Sequence, residues 1–271
     1  MITLTLKDAP TVPLEAECIS PDVLAPLSLA DVAALPVYLG RRHLRLDDCF
    51  TIEGEPSDDV EVRGDTAKVK WIGKGMTRGS IHVRGDAGMH LGSYMAGGRI
   101  DVDGNASDWV GGEMSGGTIH IRGNAGGQLG AAYRGGITGM DGGAILVEGS
   151  AGIELGMRMK RGLIAIRGTV RDFAGLQMKG GTIVLMSGAE LRTGAWMLRG
   201  TIIALKPVKL LPTFAASGIY NPTFLNVYSK QLRSHGFDVP VEASAGSYRR
   251  FAGDASIPGK GEILVWQPHA A

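Results

Sequence analysis

His82, Asp101 and His120 stand 19 residues apart, and imidazole and carboxylate groups repeated at a fixed step can share a metal ion. The plainer reading of the same spacing is a polar face turned to water. Met76, Met95, Met114, Tyr133, Met159, Met178 and Met197 offer soft sulfur ligands, or else fill an interior column. The stretch "GNAGG", 123–127, has the composition of a phosphate cradle. No helical pattern and no GKS or GKT follows it, so structural corners are the better account. The densest cation cluster is "GMRMKRG", 156–162, which holds Arg158, Lys160 and Arg161, with Arg192 and Arg199 not far along. Those residues are either a solvated edge or a site for an anion or a partner. No Ser/His/Asp or Cys/His set can be assembled from the sequence.

What unites these residues is the step between them. Gly79, Gly98 and Gly117 form a column that resumes at Gly143, Gly162, Gly181 and Gly200. Gly73, Gly92, Gly111 and Gly130 form a second, resuming at Gly156, Gly175 and Gly194. Both jump by 26 instead of 19, so one repeat carries seven extra residues, placed in "RGGITGMDGG", 134–143. Apolar residues keep the same step: Ile81, Ile100, Ile119, Ile145, Ile164, Ile183 and Ile202 in one column, and Val83, Val102, Ile121, Val147, Ile166 and Leu185 in the next. Ala87, Ala106, Ala125, Ala151, Val170 and Ala189 give a small-residue column, and Leu91, Val110, Leu129 and Leu155 another.

Nineteen extended residues span about 60 Å, too long for one strand but right for a coil of three short strands and three corners. Stacked coils pair in parallel, with right-handed connections. The expected fold is therefore all-β: a right-handed parallel β-helix, a single-stranded solenoid of about seven 19-residue coils over 56–207. The glycines are its corners, where positive φ or close backbone approach is needed.

An N-terminal cap is expected over 1–55. There "ITLTLK" alternates as a strand, "SLADVAAL" suits a short helix with Ser28 as N-cap, and "FTIEG", 50–54, leads into the first coil. Residues 208–271 carry an amphipathic helix and tail. Asn221 is a candidate N-cap and Pro222 the first helical residue; Phe224, Leu225, Tyr228 and Leu232 share a face, and Gly236 ends the helix. One outward column runs His82, Asp101, His120, Leu146, Ala165, Val184, Ile203, turning apolar at Leu146. The helix is expected to cover Leu146 to Ile203. The neighbouring column, Arg84, Asp103, Arg122, Glu148, Arg167, reads as a charge ladder.

A net charge of +1 gives no general case for nucleic acid or an anionic membrane. There is no apolar run of membrane-spanning length, and "MITLTLKDAP" lacks the layout of a signal peptide. Cys18 and Cys49 are far apart and no CxxC occurs, which speaks against an iron–sulfur or Cys-rich zinc site. A cytoplasmic protein with reduced thiols is expected.

The motif G-G-x-I-x-[VI]-x-G-x-[AV]-G resembles the GXGXG β-helix domain of the glutamate synthase large subunit. With a cap before it and "NPTFLNVYSKQLRSHG" after it, the chain more closely resembles the C subunit of formylmethanofuran dehydrogenase and of the bacterial formyltransferase/hydrolase complex. An excess of Arg over Lys favours the bacterial complex. The resemblance implies a non-catalytic scaffold in one-carbon metabolism and methylotrophy. Its complex passes a formyl group between tetrahydromethanopterin and a methanofuran-like carrier and releases formate. It implies a formyltransferase and an amidohydrolase-like chain as partners, and no metal or iron–sulfur cluster on this chain. The carriers of this family bear anionic, glutamate-rich tails. Arg158, Lys160, Arg161, Arg192 and Arg199 are thus expected to hold such a tail or to face the catalytic subunit. The insertion at 134–142 is a second candidate contact. Two other readings stay open: a glutamate synthase subunit, and an independent β-helix enzyme such as a polysaccharide lyase, which needs aligned acidic or basic residues.

Overall fold

The 19-residue step is the register of a parallel sheet. The structure, a computed structural model, describes residues 1–268. Strands Ser80–Arg84, Ala96–Val102, Gly116–Ile121, Asp141–Val147, Arg161–Ile166, Lys179–Leu185 and Arg199–Ala204 lie side by side in chain order within a 13-stranded, mostly parallel sheet. Ile81 pairs with Ile100, Ile100 with Ile119, Ile119 with Ile145, and so on to Ile202. These isoleucines are buried throughout. The stack continues past the repeats at both ends. Ile2 lies opposite Val60 and Val60 opposite Ile81, while Ile202 lies opposite Ile263. At roughly 1.5–3 kcal/mol per buried aliphatic side chain, these columns carry the fold.

The small-residue column forms a second ladder of single parallel bridges, Ala87–Ala106–Ala125–Ala151–Val170–Ala189. The third wall is not a strand. It is a stack of turns, tied repeat to repeat by bonds such as Gly92 N–H to Ile72 O and Gly111 N–H to Leu91 O, both 2.8 Å. A repeat thus has one strand, one bridge and one turn wall, where the spacing predicted three short strands. Gly117 shows why the corner needs glycine: its φ is +82°, and a Cβ there would sit 2.6 Å from Met95 Cε and 2.9 Å from the Gly97 backbone.

The methionine column is interior, with one correction. Met140, not Tyr133, fills it in the fourth repeat: Met140 is fully buried, and its carbonyl accepts from Lys160 N–H at 2.9 Å, as Met159 O accepts from Lys179 N–H. The extra residues come before Met140, so Tyr133 is released from the interior.

The apolar part of the outward column is covered. Leu146, Ala165, Val184 and Ile203 pack with Leu225, Leu232, Phe237, Ala243 and Tyr248 in a second buried cluster. The helix Leu225–Ser234 starts later than the sequence predicts. Asn221 does not cap it: its Nδ2 donates to Ala245 O at 2.8 Å, and the first turn is closed by Leu225 N–H to Pro222 O. Phe224 faces water, and Ser229 takes its place on the buried side. Gly236, at φ +76°, ends the helix as expected.

Ser28 caps Leu29–Ala33, accepting from Asp31 N–H at 3.2 Å. Phe50–Gly54 is the outermost strand of the sheet, antiparallel to Ile2–Leu6, and the chain runs on from it into Asp59–Arg63, the strand that pairs in parallel with Ile2–Leu6 and starts the stack. The sequence reading also misses Ala215–Tyr220, Ser247–Gly253 and Gly261–Gln267; the last resumes the parallel stack and the other two run antiparallel beside it.

Candidate functional site

The turn wall presents side chains outward from left-handed backbone. Trp71, His90, Trp109, Gln128, Glu154, Phe173 and Arg192 form a column with φ between +53° and +69°. A second column holds Gly75, Tyr94, Glu113, Arg158, Gln177 and Trp196, also with positive φ. Left-handed geometry costs a non-glycine residue about 1–2 kcal/mol. Bonds across repeats oppose that cost: His90 N–H to Asp108 O at 3.0 Å, Trp109 N–H to Gly127 O at 2.9 Å, Arg158 N–H to Leu176 O at 2.9 Å.

At one end the wall is aromatic. Trp71 stacks on His90 with ring centroids 4.1 Å apart, and Trp109 on Tyr133 at 4.6 Å. Tyr133 Oη lies 2.8 Å from His90 Nδ1 and 2.7 Å from Ser93 Oγ. Burial, helped by Lys70, pushes the His90 imidazole down to about 4. Burial pushes the Tyr133 phenol up to about 12. Both are neutral at pH 7. Together with Gln128, Glu154, Arg134 and Arg158 they line a groove of about 790 Å³. Its lining combines flat aromatic faces with two guanidinium groups.

The seven-residue insertion is the ridge beside this groove. Tyr133 N–H donates to Glu113 Oε1 at 2.9 Å, and Gly139 N–H to Arg158 O at 3.0 Å. Arg158 Nη1 donates to Gly136 O and Lys179 Nζ to Ile137 O. Across the ridge lies a second, more apolar groove of about 580 Å³ lined by Ile137, Trp196, Leu198, Ile257, Arg158 and Lys179.

The structure does not gather the five sequence-predicted cations at one point. Arg158 stands between the two grooves, its Nε donating to Gln177 Oε1 at 2.7 Å. Lys160 and Arg161 share Asp141, at 3.1 and 3.6 Å. Arg192 pairs with Asp172 and stacks over Phe173 at 3.9 Å. Arg199 lies in register with Lys179. His82, Asp101 and His120 do occupy adjacent strands, but each is already engaged: His82 Nε2 with Asp103 at 2.9 Å, His120 Nε2 with Glu148 at 3.0 Å, Asp101 with Arg99 at 2.6 Å. Among the described residues no group of three or more His, Cys, Asp or Glu is placed to hold a metal ion. The charge ladder is present in part: Arg84 and Arg122 both reach Asp103, and Arg167 reaches Glu148. Sequence reading missed the left-handed columns, whose mixed chemistry carries no hydropathy signal. Their step of 19, from Trp71 through His90 to Trp109, was the available clue.

The GXGXG motif family matches residues 61–216. The C subunit of the tungsten-containing formylmethanofuran dehydrogenase 2 of Methanothermobacter wolfeii is 40% identical over 97 residues, 34% of this chain and 36% of that protein. The C subunit of the molybdenum-containing formylmethanofuran dehydrogenase 1 of Methanothermobacter thermautotrophicus is 42% identical over 83 residues, 30% of this chain and 21% of that protein. The matches thus span about a third or less of those relatives' length. A chain in the crystal structure of the formyltransferase/hydrolase complex (FhcABCD) from Methylorubrum extorquens, in complex with methylofuran, is 35% identical. The likeness covers 97% of this chain and 98% of that one, with a TM-score of 0.89.

Proposed function

The chain belongs to the GXGXG family, alongside the C subunits of formylmethanofuran dehydrogenases, and from that premise we propose that it is the scaffold subunit of a formyltransferase/hydrolase complex. The observation that carries the reading is the likeness of almost the whole chain to one chain of such a complex. In this reading the stacked repeats are coils of a right-handed parallel β-helix. Thirteen strands at ~4.8 Å make a rigid body about 60 Å long. A body of that length fixes the distance between reaction centres borne by other chains. A formyltransferase subunit and an amidohydrolase-like subunit supply those centres in the cytoplasm. This chain contributes no group to the reaction; the two histidines of the sheet, His82 and His120, are engaged with Asp103 and Glu148.

The complex moves a formyl group between tetrahydromethanopterin and a methanofuran-like carrier and releases formate. The related complex was crystallised with methylofuran, which supports a carrier of that kind here. Arg158, Lys160, Arg161, Arg192 and Arg199 hold the carrier's anionic tail as it passes over the turn wall and the adjoining edge of the sheet. Purification of the tagged protein from its host, with mass spectrometry of what accompanies it, tests the reading. A formyltransferase and an amidohydrolase-like chain are the expected companions. A flavoprotein companion, or none, would overturn it.

A further inference from the structure

Along the sheet, outward charges pair between repeats at Arg84–Glu61, Arg122–Asp103 and Arg167–Glu148. Beside the insertion, unpaired cations stand next to exposed apolar groups. Lys179 and Lys260 have no carboxylate within 4.0 Å among the described residues. They flank exposed apolar side chains: Ile137 is 75% exposed, Trp196 48% and Leu198 40%. These line one groove, and Lys260 lies at its border, its N–H donating to Leu198 O at 2.7 Å.

The exposure of Ile137 is not that of a loose loop. The carbonyls of Gly136 and Ile137 are held by Arg158 and Lys179, and both ends of the insertion are bonded to neighbouring repeats. The backbone of Trp196 is held as well, its amide N–H donating to Asp254 Oδ2 at 2.9 Å. Large apolar groups that are rigid before binding lose little entropy on contact, which is the character of interface anchors. Unpaired cations at the rim ask for carboxylates on the other side.

We propose that the groove between Ile137 and Trp196 docks a neighbouring protein subunit through a bulky apolar side chain flanked by carboxylates. The inference rests on the reading of this chain as a subunit of a complex. It assigns the protein contact to the far side of the ridge and leaves the near groove, with His90, Trp109 and Tyr133, outside that contact.

The test uses the full chain co-expressed with its partner subunits. Ile137→Asp, Ile137→Val and Lys260→Glu are compared with the parent by native mass spectrometry and by partner retention over a salt series. Ile137→Asp is expected to weaken retention at least tenfold, with the melting temperature of the chain unchanged. Ile137→Val should retain the partner. Lys260→Glu should weaken retention most at low salt. Retention unaltered by Ile137→Asp and Lys260→Glu would overturn the proposal. So would variants that keep every partner and lose only the carrier. If the parent chain itself brings down no partner, the subunit reading has failed first, and the docking proposal falls with it.

Discussion

Tyr133 lies flat on Trp109, ring centroids 4.6 Å apart and planes 13° from parallel, with its hydroxyl between His90 and Ser93. The pair joins the insertion to the aromatic end of the turn wall. Removing the hydroxyl leaves buried Ser93 Oγ and the His90 ring short of a partner. Tyr133→Phe is expected to cost about 1–2 kcal/mol. A urea titration should show a lower midpoint with an unchanged slope. An unchanged midpoint would mean that the hydroxyl contributes nothing.

His90 ties the same cluster to pH. Burial holds its folded pKa at about 4, below the ordinary imidazole value of 6.5. The unfolded chain therefore binds a proton that the folded chain refuses between those values. The neutral imidazole contributes its full stability above about pH 6.5, and that contribution is lost as pH falls towards 4. His90→Gln should flatten this stretch of the stability–pH curve. The same slope in parent and variant would place the titration elsewhere.

Two glycines of the repeat should answer differently to a methyl group or larger side chain. Gly117 combines φ +82° with a 2.9 Å approach to the Gly97 backbone, so Gly117→Ala has both backbone strain and a clash. A loss of about 2–4 kcal/mol is expected. Gly75 has φ +65° and open space around its Cβ position, and it heads the column where Tyr94, Glu113 and Arg158 already adopt left-handed backbone. Gly75→Asn should stay within about 1 kcal/mol of the parent, because Asn tolerates this region. Thermal melts of the two variants side by side decide the matter; equal losses would refute the distinction.

The helix Leu225–Ser234 is held by its apolar side more than by its ends, since it lacks a side-chain cap. Leu232 is 1% exposed and packs over the Leu146–Ile203 face. Leu232→Ala should cost about 2–4 kcal/mol. Hydrogen exchange should speed up in the helix before it does in the strands beneath. Uniform acceleration through the sheet would show instead that helix and sheet open as one unit.

The sheet was legible because its signal is redundant. Ile81 through Ile202 repeat a residue type and a step, and seven agreeing positions leave one register. Where one residue had to decide, the sequence was ambiguous. Tyr133 stands 19 residues after Met114, but Met140 stands 26 after it, the same jump made by Gly117 to Gly143. Only packing shows that Met140 fills the interior. The return of the chain at Ile263, 61 positions after Ile202, was hidden by its distance from the regular repeat. The basic residues were legible as a group, but not their sorting. Asp141 draws Lys160 and Arg161 together, whereas Arg192 turns to Asp172 on another wall.

That sorting shapes the last expectation, which concerns the carrier. Arg158 donates to a neutral amide and a carbonyl, so its charge remains available to an anion, whereas Lys160 and Arg161 already share one carboxylate. Changing Arg158, Lys160 and Arg161 together to Ala should lower the carrier content of the purified complex at least tenfold, given about 1.5–3 kcal/mol for each charge-assisted bond. Most of that loss should already appear in Arg158→Ala alone. Retention in the parent should fall with added salt, and that dependence should be shallower in the variants. Carrier content that stays at the parent level in the triple variant, with all subunits present, would remove the tail from this wall.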